Sequence, residues 1–93
     1  MIDDLLTFEV DEDGEQLFIH GDACGLRRLA SVLVKLADLS EKGDFPHSHL
    51  FTEEWGGGEL SSKLQEKSHN VLNHVKIYGW PNKEGSKPYH KSL

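Results

Sequence analysis

At 93 residues, with 37% apolar and 28% charged side chains, the chain can build one hydrophobic core and not two. No apolar run approaches the roughly 18 to 20 residues of a membrane-spanning helix, and the start Met1-Ile2-Asp3-Asp4 lacks the basic and apolar blocks of a secretory leader. A lone cysteine, Cys24, excludes an internal disulfide framework and fits a reducing cytoplasm, while a net charge of −6 disfavours binding to phosphate backbones.

Leu6, Phe8 and Val10 lie two apart with Thr7, Glu9 and Asp11 between them, the alternation of a half-buried strand. Asp13-Gly14 suits a tight two-residue turn, because both residue types tolerate positive φ. That turn sets Glu12 opposite Glu15, Val10 opposite Leu17 and Phe8 opposite Ile19, with the apolar residues on one face.

Gly21-Asp22 ends the second strand, and the Asp22 carboxylate can cap the amides of a following helix. Leu26, Leu29, Ala30, Leu33, Leu36 and Ala37 recur at the spacing of one helix face. Val32, Val34 and Leu39 widen that stripe, as expected of a helix embraced by a sheet or a partner. Gly43 and Pro46 mark the exit.

Residues 47–52 read as a short strand, and Gly56-Gly57-Gly58 as a loop or bulge. The last element is ambiguous. Leu60, Leu64, Ser68, Val71, Leu72 and Val75 fit a helical stripe, but the Val, Ile and Tyr content of 71–78 favours a strand. The expected architecture is α+β: an antiparallel sheet of about four strands, in the order ββαββ, packed on one main helix. Residues 1–80 form the domain, and 81–93, with Pro81, Gly85, Pro88 and three lysines, a flexible tail.

Four constellations invite a chemical reading. His47-x-His49 places two imidazoles on one strand face, with Asp44, His20 and Cys24 as further metal ligands. A structural zinc site wants four ligands at a recognisable spacing, so a surface histidine pair is the simpler reading and no metal is expected. Cys24 in the first helical turn has dipole support for a thiolate, yet no base or oxyanion donor is evident beside it, and a packing role is simpler. The three glycines lack the Lys and Ser or Thr of a phosphate loop and are followed by Glu59. The lysine-rich tail carries one aromatic, Tyr89, on an acidic body, a poor nucleic-acid module. No catalytic residue, cofactor, nucleic acid or membrane is therefore expected.

Charge is unevenly spread. Residues 1–22 hold eight acids and no Lys or Arg, and residues 1–82 hold seven bases against fifteen acids. Such a surface favours a basic partner, or simply keeps a small protein soluble. Phe45, Trp55 and Trp80 flank the strands, where large aromatics anchor interfaces or close the ends of a core.

Ile19-His20-Gly21-Asp22, Gly25-Leu26-Arg27-Arg28-Leu29-Ala30, His47-Ser48-His49-Leu50 and Gly58-Glu59-Leu60-Ser61 together resemble a family of small α+β immunity proteins, of the type numbered thirty-two. Members are encoded beside bacterial polymorphic toxins. The resemblance spans roughly residues 8–80; its motifs, a Gly-Asp-x-x-Gly-Leu helix start, a His-Leu strand and a Gly-x-Glu-Leu loop, contain no catalytic signature. It implies a non-enzymatic protein that neutralises a cognate toxin, one that is basic where it acts on nucleic acid. Placed on this sequence, the contact set would be Asp11, Glu12 and Asp13 with Glu53, Glu54, Trp55 and Glu59; the tail from Lys83 departs from the family pattern. The competing reading is a homodimer formed through the wide apolar helix face, and a lesser one a metal protein using His47 and His49.

Overall fold

A computed structural model of the chain describes residues 4–81 and 89. Strand β1 (Leu6–Val10) pairs antiparallel with β2 (Leu17–Gly21), setting Val10 opposite Leu17 and Phe8 opposite Ile19 as the alternation requires. The turn between them differs from the expected one. The Asp11 amide donates to the Gln16 carbonyl and the Gly14 amide to the Asp11 carbonyl, while Asp11 Oδ1 accepts from the amides of Glu15 and Gln16 at 2.9 and 3.3 Å. A two-residue turn would need positive φ at Asp13 as well as Gly14, and only the glycine has it, at 71°. The side chain of Asp11 thus closes a wider loop, and Glu12 does not face Glu15 across a ladder.

Helix α1 (Ala23–Glu41) begins where expected. Asp22 Oδ1 accepts from the Gly25 amide at 2.8 Å and Oδ2 from the Leu5 amide at 3.0 Å, and the Asp22 amide donates to the Leu5 carbonyl. One carboxylate therefore ties the helix start to the segment leading into β1. Gly25 presses so close to the Leu5 carbonyl that a Cβ there would fall inside the oxygen's van der Waals shell. The Gly-Asp-x-x-Gly run is thus a docking device between helix and strand. At the other end Gly43 adopts φ 98°, its amide donating to Ser40 and that of Asp44 to Leu39, which satisfies the last carbonyls.

The buried line of the helix runs through Gly25, Leu29, Val32, Leu36 and Ser40, and not through the expected Leu26, Ala30, Leu33 and Ala37, which are exposed. Small residues decide this. Gly25 and Ser40 let the backbone approach its neighbours, and at the far end Gly79 packs against Ser40 and the Leu36 carbonyl. Leu33 and Val34 remain 46% and 59% exposed.

Strand β3 (His47–Phe51) is followed by a 3-10 turn (Glu53–Trp55), then by an irregular stretch to β4 (Asn70–Val71) and β5 (His74–Tyr78). The α+β class and the antiparallel pairing hold, and residues 71–78 are extended and not helical. Among the described residues the strands nevertheless number five and divide into two sheets, β2-β1-β4 and β3-β5. The division falls at Leu72-Asn73. The Leu72 amide donates to Phe8 in β1, whereas the Asn73 carbonyl accepts from Thr52 beyond β3, with Thr52 Oγ1 donating to Asn73 Oδ1 at 2.7 Å. The last stretch of chain thus leaves one sheet and joins the other within two residues.

Leu6, Phe8, Leu50 and Leu60 form the core, with Leu29, Val32, Leu72, Val75 and Ile77 packed on it. A cavity of about 300 Å³ remains beside Leu6, Arg28, Leu29, Val32, Leu50 and Glu59. The lysine-bearing tail expected over residues 81–93 lies outside the described residues, apart from Pro81 and Tyr89.

Candidate functional site

Both faces of β1 are covered, which simple alternation does not suggest. Thr7 and Glu9, the polar members of the alternation, are fully buried. Residues 61–71 lie over them: the Ser61 amide donates to the Leu6 carbonyl, and Glu9 pairs with Val71 across the β1–β4 ladder. Glu9 Oε2 accepts from the Gln65 amide at 2.7 Å and from Thr7 Oγ1 at 3.2 Å, and Oε1 lies 3.2 Å from His69 Nδ1. His20 Nε2, buried and without a hydrogen-bond partner among the described residues, sits 3.8 Å from the same Oε1. Phe18 stacks on His69 at 4.5 Å. Burial favours the protonated carboxyl, but the donors Gln65, His69 and Thr7, with the charge of His20, outweigh it and hold the Glu9 pKa below its usual value. This arrangement is structural: the bonds from Gln65 and His69 fasten the segment 61–71 to the sheet, and that from Thr7 steadies the carboxylate on its own strand.

The acids assigned to partner contact fall into two groups on different elements. Glu12 and Asp13 are exposed at the β1–β2 loop, where Asp11 is committed to the loop amides. Glu53, Glu54 and Trp55 form the 3-10 turn after β3, with Trp55 61% exposed. Glu54 accepts from Ser62 Oγ at 2.8 Å, and that bond leads the effects that lower its pKa. Glu59 folds inward. Its carboxylate accepts from the amides of Phe51 and Gly58, and its carbonyl accepts from Arg28 Nη1 at 2.9 Å. Arg28 also grips Asp4 through two nitrogens, at 2.7 and 2.8 Å. No hydrogen bond or ion pair joins the two acidic groups among the described residues.

The glycines close a turn. Gly56 takes φ 90° at the end of the 3-10 turn, and a Cβ on Gly57 would strike Phe51. Cys24 is exposed. Among the described residues no three His, Cys, Asp or Glu side chains are grouped as a metal ion needs.

His47 and His49 do share a face, with rings 5.1 Å apart, but the neighbour of His49 is His74 on β5. Their Nδ1 and Nε2 atoms are 2.9 Å apart, so one ring donates to the other. The antiparallel register explains the encounter, since it sets His47 opposite Tyr78, His49 opposite Lys76 and Phe51 opposite His74. Desolvation, then the charges of Lys76, His47 and His74, lower the His49 pKa and favour its neutral form. Phe51 stacks on His74 at 4.4 Å, and Lys76 Nζ lies 4.7 Å from the centre of the Tyr78 ring. Phe45 continues the row, 4.5 Å from Trp80 and 5.8 Å from Tyr78. The inner face of the same two strands carries Ser48, Leu50, Val75 and Ile77 toward the core. Sequence reasoning noted His47-x-His49 and passed over His74-x-Lys76-x-Tyr78, whose equal spacing was the available signal.

Comparison with protein families finds a match: residues 16–88 fit the model of the family described as immunity protein 32. The match leaves out β1 and includes residues 83–88, part of the tail from Lys83 that was expected to depart from the family pattern. No match is found among curated proteins or solved structures.

Proposed function

The chain belongs to the immunity protein 32 family, and on that premise we propose that it is a non-enzymatic binding protein that neutralises a cognate bacterial toxin. The family match carries the proposal. The surplus of acids supports a basic partner, drawn in by the exposed carboxylates of the β1–β2 loop and of the 3-10 turn. In this reading Trp55 is the apolar anchor of the second group. Glu59, which binds its own loop, shapes the contact surface more than it touches the partner. No helix among the described residues is long and apolar enough to cross a membrane; with the lone cysteine, this supports action in the cytoplasm.

Capture with the tagged protein at moderate salt should recover one stoichiometric partner carrying a toxin domain. Reversing Glu12 and Asp13 to lysine, or Glu53 and Glu54, should weaken that binding about tenfold, chiefly in the association rate and most at low salt. Asp11 is left intact because it closes its loop. Unchanged affinity in both double variants would remove the acids from the contact surface.

A second reading has its own observation, the exposed row of Leu26, Leu33 and Val34 on the helix. It makes the protein a homodimer through that face, which is compatible with toxin binding on another. Light scattering should then show a concentration-dependent mass that Leu33→Lys abolishes. A monomer at every concentration rules it out.

A further inference from the structure

The outer face of β3 and β5 is unlike the rest of this acidic chain. Across five residue pairs it presents His47, His49, Phe51, His74, Lys76 and Tyr78, and neither strand contains an Asp or Glu. Phe45 and Tyr78 are 52% and 49% exposed, and the row continues into Trp80. A ribbon of two strands is marginal by itself, and the solvent-facing side of an antiparallel pair is normally polar. Here the outer face carries aromatic rings, the residue type that anchors protein interfaces, beside a single ammonium, that of Lys76.

We infer that this face is where the toxin is held, by a segment of the toxin that sets carboxylates beside apolar side chains; the inference rests on the immunity reading. Charge complementarity selects the occupant. The polar groups on the face that carry hydrogen are the ammonium of Lys76, the hydroxyl of Tyr78 and imidazole N–H groups, so acceptors on the partner pair here, and anionic ones pair best with Lys76. A nucleic acid would also offer anions and stacking surfaces. Its continuous phosphate charge, however, would meet a chain in which residues 1–82 hold seven bases against fifteen acids. Isolated carboxylates on a folded partner avoid that conflict.

The rings are also held in place before any partner arrives. His49 and His74 are bonded at 2.9 Å, Phe51 stacks on His74, and Phe45 packs on Trp80. Little side-chain freedom remains to be lost on binding. The acids and the ribbon then divide the work: the acids raise the encounter rate at long range, and the ribbon sets the lifetime of the complex.

The test uses the toxin domain recovered with the wild-type protein, purified separately, and measures Kd by calorimetry at one salt concentration. Tyr78→Ala and Lys76→Glu should each weaken binding at least tenfold, mainly through faster dissociation. Both positions are exposed, and an unchanged melting temperature would verify that the fold is retained. Affinities within twofold of wild type for both variants would overturn the inference while leaving the immunity reading standing. Failure of the wild-type protein to bind any toxin domain would overturn both. Binding of a single-stranded oligonucleotide lost in Tyr78→Ala would assign the face to nucleic acid instead. A change of self-association in Lys76→Glu would assign it to a second copy of the chain. Either of those results would also overturn the inference.

Discussion

Replacing Glu9 with alanine should lower the unfolding free energy by about 3 kcal/mol, read from urea denaturation at neutral pH. Little apolar packing is lost in that change, so the cost comes from the donors left behind. The Gln65 amide, Thr7 Oγ1 and His69 Nδ1 lose their common acceptor, and His20 Nε2 loses the carboxylate oxygen 3.8 Å away. Glu9→Gln keeps the shape but directs an amide hydrogen toward one of these donors, and should cost about half as much. The pH dependence follows from the direction of the shift. Because the folded-state pKa of Glu9 lies below its ordinary value, the folded protein binds this proton more weakly than the unfolded chain does. The contribution is therefore complete above the ordinary carboxylate range and is lost as the pH falls through the folded value. In Glu9→Gln that part of the acid sensitivity should vanish. If the variant matched wild type in both its urea midpoint and its acid transition, the carboxylate would not be what fastens residues 61–71.

The second large effect is expected at Gly25, with a sign opposite to the usual one. Alanine in place of glycine inside a helix is ordinarily worth about 1 kcal/mol of added stability. At Gly25 the new methyl would collide with the Leu5 carbonyl, which belongs to backbone that Asp22 also holds by two hydrogen bonds. Neither partner can rotate away as a side chain would, so Gly25→Ala should destabilise the protein by roughly 2–4 kcal/mol. Thermal unfolding of the purified variant decides the matter. A melting temperature equal to or above that of wild type would show that the helix start can move off β1 at little cost.

What could be read from the sequence was what is locally determined. The hairpin register follows from the alternation of Leu6, Phe8 and Val10, and the helix limits from Asp22 and Gly43, because each depends on a few neighbouring residues. The buried side of α1 was harder. The large side chains Leu26 and Leu33 suggest one face, but the approach of backbone at Gly25 and Ser40 selects another, and that depends on Leu5 and Gly79, distant in sequence. Glu9 was hidden for a similar reason. An acid at an alternating position looks like a solvated residue until a segment 56 to 60 residues away supplies its donors. The loop acids and His47-x-His49 were visible from their composition, whereas the row that includes His74, Lys76 and Tyr78 exists only once β3 and β5 are in register. The division into two sheets turns on Leu72 and Asn73, and no local propensity marks the point where pairing passes from β1 to the end of β3.

The position of β1 has a consequence for synthesis. It is the middle strand of its sheet, flanked by β2, which leaves the ribosome directly after it, and by β4, which leaves only after α1 and β3. Until β4 emerges the nascent hairpin therefore shows an unpaired edge, with the carbonyls of Leu6 and Phe8 awaiting the amides of Ser61 and Leu72. An open edge of this kind invites pairing with other chains. Glu9 lies on that strand, and until residues 61–71 arrive its charge is hydrated and resists burial against a foreign strand. The carboxylate that later fastens the finished sheet thus guards the unfinished one against aggregation.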